Sequence, residues 1–443
     1  MTSARGRPSV LRVGLLGAGT VGREVVRAFA ERADRLVVDG GPRLVLAAVA
    51  VRDLERATAG GIEPGLLTDA PAHLVASTET DVIVELMGGD EPARTLIAGA
   101  LEAGKAVVTA NKHVLAHHGP ALEGIARRRG ASLRFEAAVG GGIPVLGPLA
   151  AELSSNRPTH VRGIVNGTTN VILSAMADRG RADGPVTYEQ ALAAAQAAGY
   201  AEADPTADLS GADAANKLSI LARLAFGTWL DPDSIDTTPS AVDGGRTGGR
   251  GITAVDARLV AGAAALDLAI KLVADARRPA PGDLIVATVL PTGVPLADPL
   301  ARVNGATNRI EVRADPIGSI AFSGPGAGGA ATASAVLGDL LAIARGLGST
   351  WAGLPEPSSA AATGVDDEAA AADRGWLAVV AGRAELPELP RMPATDVATA
   401  VVGETTAIHT IGRSRRSMRE LLTDIGAEPA TLIIPVDERV PRR

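Results

Sequence analysis

The sequence predicts an α/β protein in which parallel βαβ units come first, a mixed α/β domain follows, and a small α/β appendage closes the chain. Three observations lead there. From Leu11 to about Ala110, the apolar runs LRVGLLG, LVLAAVAV, DVIVEL and KAVVTA alternate with Ala-rich helical stretches, the pattern of a parallel sheet buried on both faces. A glycine-rich string, GAGTVG, stands between the first of these strands and the helix-like REVVRAFAERA. Hydrophobic residues make up 46% of the chain but aromatics only 2%, so the core has to be built from Ala, Val, Leu and Ile, which suits layered α/β packing.

With 443 residues, the chain exceeds one ordinary domain of roughly 100 to 200 residues. The expected boundaries are 10–136 together with 324–349 for the first domain, 137–323 for the second and 350–443 for the appendage. The second domain opens at EAAVGGGIP and continues in helical stretches around Glu189 to Ala198, Ala212 to Phe226 and Val255 to Ala276. A Gly/Pro/Asp-rich loop is expected from Asp231 to Gly251. Strands are expected at Leu284 to Leu290, Arg309 to Val312 and Ser319 to Ser323. In the appendage a loop from Trp351 precedes the strands GWLAVVAG, TTAIHTIG and TLIIPVD and the helix SRRSMRELLTDIG.

The formal net charge of -7 comes with no clustered Lys/Arg footprint, which argues against a nucleic-acid partner. No cysteine is present, which excludes disulfides, cysteine-ligated zinc and thiol nucleophiles. The first ten residues lack the apolar core of a signal peptide, and no apolar run reaches membrane-spanning length. The expected compartment is the cytoplasm, with no membrane partner.

GAGTVG, Gly17 to Gly22, has the glycine spacing of the Rossmann dinucleotide fingerprint: a tight turn, close backbone approach to a pyrophosphate, and a helix N-terminus facing it. The second strand ends in Arg52 and Asp53. An arginine there accepts a 2′-phosphate and an acidic residue holds the ribose hydroxyls, so Arg52 favours NADP(H) and Asp53 would select NAD(H).

The segment 199–217, GYAEADPTADLSGADAANK, gathers Glu202, Asp204, Asp208 and Asp213 ahead of Lys217. Ser210 with Asp213 can be read as a helix capping box, which leaves Lys217 unexplained. One helical turn from Asp213 and beside the stripe of Leu218, Leu221 and Leu224, that lysine is expected to be partly buried, and a partly desolvated lysine among carboxylates is a proton-donor candidate. A second lysine, Lys112, ends TANK directly after an apolar strand, where open parallel sheets bind ligands. Asn166 to Asn170, NGTTN, reads either as a turn with a helix cap or as a site string. His113 and His117 have metal-pair spacing but no third ligand nearby, so zinc is not predicted.

Taken together, GAGTVG, VIVELMGG, TANK, EAAVGGGIP, NGTTN, GYAEADPTADLSGADAANKLSILA, GITAVDA and GAGGAATASAVLGDL, in this order from about Leu11 to Gly346, resemble homoserine dehydrogenases. The resemblance implies reversible NAD(P)H-dependent reduction of L-aspartate 4-semialdehyde to L-homoserine, in threonine and methionine biosynthesis, by a homodimer. It implies that Lys217 and Lys112 serve proton transfer, and that Glu202, Asp208 and Asp213, with Asn166, Gly167 and Thr168, bind substrate or orient the lysines. Cofactor binding would fall to Gly17, Ala18, Gly19, Thr20, Val21, Gly22, Arg52, Met87, Gly88, Thr109, Asn111, Lys112 and Gly326. The backbone carbonyls of Glu136, Val139, Gly141 and Ile143 resemble a Na+ or K+ site. The second domain is then the catalytic and dimerisation domain.

Residue chemistry removes one of two rival functions. Aspartate-semialdehyde dehydrogenase acylates a cysteine, which this chain lacks. A catalytically silent nucleotide-binding regulatory homologue is the other, raised by the tail: residues 375–436 do not show the usual strand and glycine pattern of the regulatory ACT module that many relatives carry.

Overall fold

The computed structural model describes residues 9–178, 186–243, 249–280, 282–360, 374–382, 396–411 and 414–437. Strand β1 (Val10–Leu16) passes through GAGTVG into α1 (Thr20–Glu31). The alternation continues with β2 (Arg43–Ala50), α2 (Leu54–Ala59), β3 (Leu67–Thr68), α3 (Pro71–Ala76), β4 (Val82–Glu85), α4 (Ala93–Glu102), β5 (Ala106–Thr109), α5 (Lys112–Arg129) and β6 (Leu133–Arg134). These strands pair in the order β3-β2-β1-β4-β5-β6, every neighbour parallel. The order reverses between β1 and β4, the switch point at which such sheets bind nucleotides. Val13, Leu15, Val82, Val84 and Val108 are all buried along these strands, which is why the runs read as continuously apolar rather than alternating.

The chain goes on through α6 (Leu146–Ala150), β7 (Arg157–Ile164), α7 (Gly167–Ala177), α8 (Tyr188–Ala197), α9 (Thr206–Leu209), α10 (Ala212–Phe226), β8 (Thr228–Leu230) and β9 (Ser240–Ala241). Then come α11 (Ala257–Ala265), β10 (Leu268–Arg277), β11 (Val286–Pro295), β12 (Thr307–Asp315), β13 (Gly318–Pro325), α12 (Gly329–Ala344) and β14 (Ser358–Ala360). Last are β15 (Arg374–Ala381), β16 (Val397–Val402), β17 (Thr405–Thr410), α13 (Arg415–Asp424) and β18 (Leu432–Asp437).

Two compact units emerge. Among the described residues, unit 1 comprises 9–157, 219–230 and 324–360, and unit 2 the described parts of 158–218 and 231–323 together with 374–382, 396–411 and 414–437. Unit 1 holds the parallel sheet, and α12 returns to it: a Cβ on Gly329 would stand 2.9 Å from the Thr20 carbonyl oxygen of α1. Unit 2 is built on a second sheet, ordered β13-β12-β7-β10-β11-β18-β15-β17-β16, with β9 beside β18. The C-terminal strands belong to that sheet through the parallel contact of Gly293 in β11 with Val436 in β18. Buried ion pairs reinforce the junction: Arg374 reaches Asp275 at 2.8 Å, and Asp437 pairs with Arg162.

The expected strands LRVGLLG, LVLAAVAV, DVIVEL and KAVVTA form β1, β2, β4 and β5, and the expected appendage strands and helix form β15, β17, β18 and α13. One expectation fails. Val255 to Ala276 is not one helix: α11 stops at Ala265, Asp267 turns with φ of 58°, and β10 begins at Leu268. β10 lies between β7 and β11 and is buried on both faces, and a doubly buried strand lacks the alternation that separates strand from helix in a sequence. β16 was not anticipated, being a short edge strand. The stretch from Asp231 to Gly251 contains β9 and a short 3₁₀ turn, while 244–248 within it and 361–373 of the loop after Trp351 lie outside the described residues. His113 and His117 pack ring to ring on α5, centroids 4.3 Å apart, and no metal-binding His/Cys/Asp/Glu cluster occurs among the described residues.

Candidate active site

The nucleotide cradle in unit 1 follows from three glycines. Gly17 has φ of 97°, a left-handed conformation that favours glycine. A Cβ on Gly22 would stand 2.1 Å from the Gly17 carbonyl oxygen, so only glycine lets α1 start this close to the loop. At Gly19, by contrast, a Cβ would meet nothing within 4 Å. Gly19 is the N-cap of α1 and offers no side-chain cap, which leaves the N–H groups of the first turn, from Thr20, Val21 and Gly22, open to a phosphate. The residues present therefore fit a dinucleotide.

The other expected cofactor residues, Gly326 apart, fall at carboxyl ends of the parallel strands. Arg52 and Asp53 follow β2 and are exposed. Asp53 caps α2, its carboxylate accepting the Arg56 N–H at 2.9 Å. Met87 and Gly88 follow β4, and Thr109 ends β5. Asn111 is the N-cap of α5, its Oδ1 accepting the Val114 N–H at 3.1 Å, and Lys112 is the first helical residue, half-buried. Gly326 lies against the EAAVGGGIP segment: a Cβ on Gly141 would stand 2.8 Å from its carbonyl oxygen.

Within that segment the Glu136 carboxylate is fully engaged, accepting the N–H groups of Val145, Leu146 and Gly147 at 2.7 to 2.8 Å. Burial, assisted by the nearby Asp339 carboxylate, holds its carboxyl above the usual range despite those donors. Glu136 can therefore offer a cation its backbone carbonyl; its side chain is already taken.

Unit 2 carries the second constellation. Asp213 and Lys217 stand one turn apart on α10, and the Lys217 ammonium donates to Asp213 Oδ2 and to the Val165 carbonyl oxygen, each at 2.7 Å. Lys217 is only 9% exposed. Val165 directly follows β7, and the next residue, Asn166, is the N-cap of α7, its Oδ1 accepting the Thr169 N–H at 2.9 Å. The same carboxamide donates through Nδ2 to Asp208 at 2.8 Å and to Asp213 at 2.9 Å. Asn166 thus serves as helix cap and as the clip joining both carboxylates. Gly167 opens α7 where a Cβ would stand 3.2 Å from the Ala306 carbonyl oxygen, and Thr168 donates to the Tyr200 carbonyl at 2.8 Å. Glu202 is exposed, and Gln196 Nε2 donates to its backbone carbonyl at 3.2 Å. The structure does not draw its carboxylate into the cluster.

Sequence reasoning missed Lys271 on β10. Its ammonium is buried and donates to the Val303 carbonyl at 2.6 Å, Asn304 Oδ1 at 3.1 Å and Asn170 Oδ1 at 3.2 Å. Burial without a carboxylate partner pushes its pKa down to about 8. Asn170 in turn donates to the carbonyls of Val303 and Gly305, so Lys271 ties the first turn of α7 to the loop before β12. Reading 268–277 as a strand would have exposed this lysine as an interior charge.

A dinucleotide fold together with a second unit carrying a buried lysine, carboxylate and carboxamide cluster defines an NAD(P)-dependent oxidoreductase. Family comparison makes the class specific. Residues 17–136 match the model described as the NAD-binding domain of homoserine dehydrogenase, and residues 144–341 match that of homoserine dehydrogenase itself. Homoserine dehydrogenase of Mycobacterium tuberculosis is 46% identical over 336 residues, 75% of this chain and 72% of the relative. That of Corynebacterium glutamicum is 42% identical over 344 residues, 77% and 73% of the two chains. Among solved structures, a homoserine dehydrogenase from Thiobacillus denitrificans superposes with a TM-score of 0.81 at 32% identity, covering 97% of this chain and 98% of that one. A hyperthermophilic archaeal homoserine dehydrogenase in complex with NADPH gives 0.60 at 25% identity, covering 76% and 97%. The chain belongs to the homoserine dehydrogenase family. Its activity is the NAD(P)-dependent oxidation and reduction of a CH–OH group, interconverting homoserine and aspartate 4-semialdehyde in amino-acid biosynthesis. A silent regulatory homologue is not favoured.

Proposed function

We propose that Lys217 is the proton-transfer group of this reaction, with Lys112 as a second cation of the site. The observation that carries the assignment is the Lys217 ammonium held at 2.7 Å by both Asp213 and the Val165 carbonyl. When bound, the nicotinamide supplies the hydride to the aldehyde carbon or takes it back from the alcohol. An ammonium fixed at one position protonates or stabilises the alkoxide that develops on reduction, and in a buried setting it does so more effectively than water. In the oxidising direction the same amine receives the alcohol proton. Asp208 and Asp213 hold the substrate ammonium or orient the lysine, Asn166 keeps the two carboxylates in register, and Gly167, Thr168 and the exposed Glu202 complete the substrate contacts. Homoserine-dependent reduction of NADP+ by the purified chain, lost in Lys217→Ala, tests the reading; a variant with near wild-type kcat would overturn it.

NADP(H) is the proposed cofactor, with NAD(H) the poorer partner. The support is that Asp53 caps α2 through its own carboxylate, while Arg52 is exposed at the end of β2 and free in charge for a 2′-phosphate. Arg52→Ala is expected to lower kcat/KM for NADPH about tenfold and leave that for NADH within about twofold, the loss of one charge-assisted phosphate contact. A wild-type enzyme with higher kcat/KM for NADH contradicts the assignment.

The carbonyl oxygens of Glu136, Val139, Gly141 and Ile143 are the proposed ligands of Na+ or K+, hard donors for a hard ion. Activity and Tm compared in KCl, NaCl and choline chloride test this. A homodimer and a cytoplasmic setting complete the proposal. For the described residues, no helix is long and apolar enough to cross a membrane.

A further inference from the structure

A carboxylate that the reaction scheme does not use is completely buried at the carboxyl end of β4. Glu85 Oε1 accepts the N–H groups of Met87 at 2.7 Å and Gly88 at 3.1 Å, and Oε2 accepts the Thr109 hydroxyl at 2.6 Å. The Thr109 hydroxyl oxygen, while donating to Glu85, itself accepts the Asn111 N–H at 2.9 Å. Asn111 Nδ2 closes the circuit on the Gly89 carbonyl at 2.8 Å. Every partner of Glu85 is a donor, the bonding pattern of an ionised carboxylate. No Lys, Arg or His forms an ion pair with it among the described residues.

A buried charge without a counter-ion is disfavoured unless something else gains from it. Its place in the sheet says what could gain. Glu85 ends β4, next to the reversal of strand order between β1 and β4. The fingerprint loop lies against the following residue, since a Cβ on Gly17 would stand 2.9 Å from the Leu86 carbonyl oxygen. In this fold the end of β2 meets the ribose of the adenosine half, which leaves the ends of β4 and β5 to the nicotinamide half.

We propose that Glu85 positions and electrically biases the nicotinamide half of the cofactor site: it laces the Met87–Gly89 loop to the Thr109–Asn111 loop, and its negative charge favours the oxidised, cationic ring over the reduced, neutral one. The proposal rests on the assignment of the nucleotide to the GAGTVG sheet. With a nicotinamide bound, the Glu85 charge would also favour the transition state of reduction, in which positive charge would develop beside it.

Calorimetric binding of NADP+ and NADPH to the full chain separates the two parts. Glu85→Gln keeps the shape and removes the charge, and the ratio of the NADP+ Kd to the NADPH Kd is expected to rise about tenfold. Thr109→Val keeps the charge and cuts the lacing, and both Kd values are expected to rise together, about threefold to tenfold, with their ratio unchanged. A Glu85→Gln chain with the wild-type ratio overturns the bias, whether or not both affinities fall, because a purely structural carboxylate would weaken the two ligands alike. A Thr109→Val chain with wild-type affinities overturns the lacing. Should Glu85→Gln fail to fold, Glu85→Met removes the same charge from a side chain of similar length, and the same rise of about tenfold in the ratio is expected; a wild-type ratio there overturns the bias. A wild-type chain that binds neither nucleotide instead refutes the nucleotide-site assignment beneath it.

Discussion

Two buried lysines of unit 2, Lys217 and Lys271, differ in their company rather than in their burial. Lys217 faces a carboxylate and a carbonyl, whereas Lys271 faces a carbonyl and two side-chain amides, with no anion among the described residues. The first sits among acids that Asn166 clips together; the second pins a helix turn to a loop. Depth alone would have ranked Lys271 ahead, at 3% exposed against 9%. The proposed assignment of proton transfer to Lys217 therefore rests on its partners, which hold the ammonium in one direction while leaving it able to serve a third group.

Breaking the contrast from the Lys217 side should produce the larger effects. Lys217→Ala is expected to lower kcat about a hundredfold to ten-thousandfold, the usual range for a positioned general acid, with the NADPH Kd, read by fluorescence titration, within about twofold. Asn166→Ala removes the α7 cap and the clip between Asp208 and Asp213 together. A loss of about 1 to 3 kcal/mol in chemical unfolding is expected. Its kcat/KM for homoserine should fall about tenfold, equivalent to about 1.4 kcal/mol of transition-state stabilisation. Unchanged kinetics in a folded Asn166→Ala enzyme would detach the clip from catalysis.

Lys271→Met should have the smallest catalytic effect, with kcat within about threefold of wild type, since the substitution touches no proposed reacting group. Its signature lies in stability against pH. The folded lysine titrates at about 8 and the ordinary value is 10.5. Below pH 8 both states carry the proton and the penalty of burying it is constant. Between about pH 8 and 10.5 the unfolded chain holds a proton that the folded chain has released, so this group makes stability rise with pH. Wild type should therefore gain on Lys271→Met by up to about 1.4 kcal/mol per pH unit across that window. Parallel curves for the two proteins would show that Lys271 titrates normally.

Much of this was legible in the sequence because it is local. GAGTVG needs only its own turn and the helix that follows, and α1 and its open N-terminus appear where the glycines put them. Asp213 and Lys217 share a helical face at a spacing that can be counted. Lys271 was hidden because β10 is buried on both faces, and its apolar run imitates a helix continuing from α11. Glu85 was hidden differently: an acid after VIV resembles an ordinary strand end, and only the fold turns Met87, Gly88 and Thr109 toward it. Glu202, whose substrate role comes from the resemblance, is exposed, and its carbonyl is held by Gln196.

The central claim, that Lys217 rather than Lys271 handles the proton, is tested most directly by amine rescue of Lys217→Ala. With NADPH and aspartate 4-semialdehyde saturating, small alkylammonium ions should restore kcat in proportion to their concentration, with a dependence on amine pKa, and Lys271→Met should gain nothing from them. A Lys217→Ala enzyme that turns over near the wild-type rate without added amine would contradict the account.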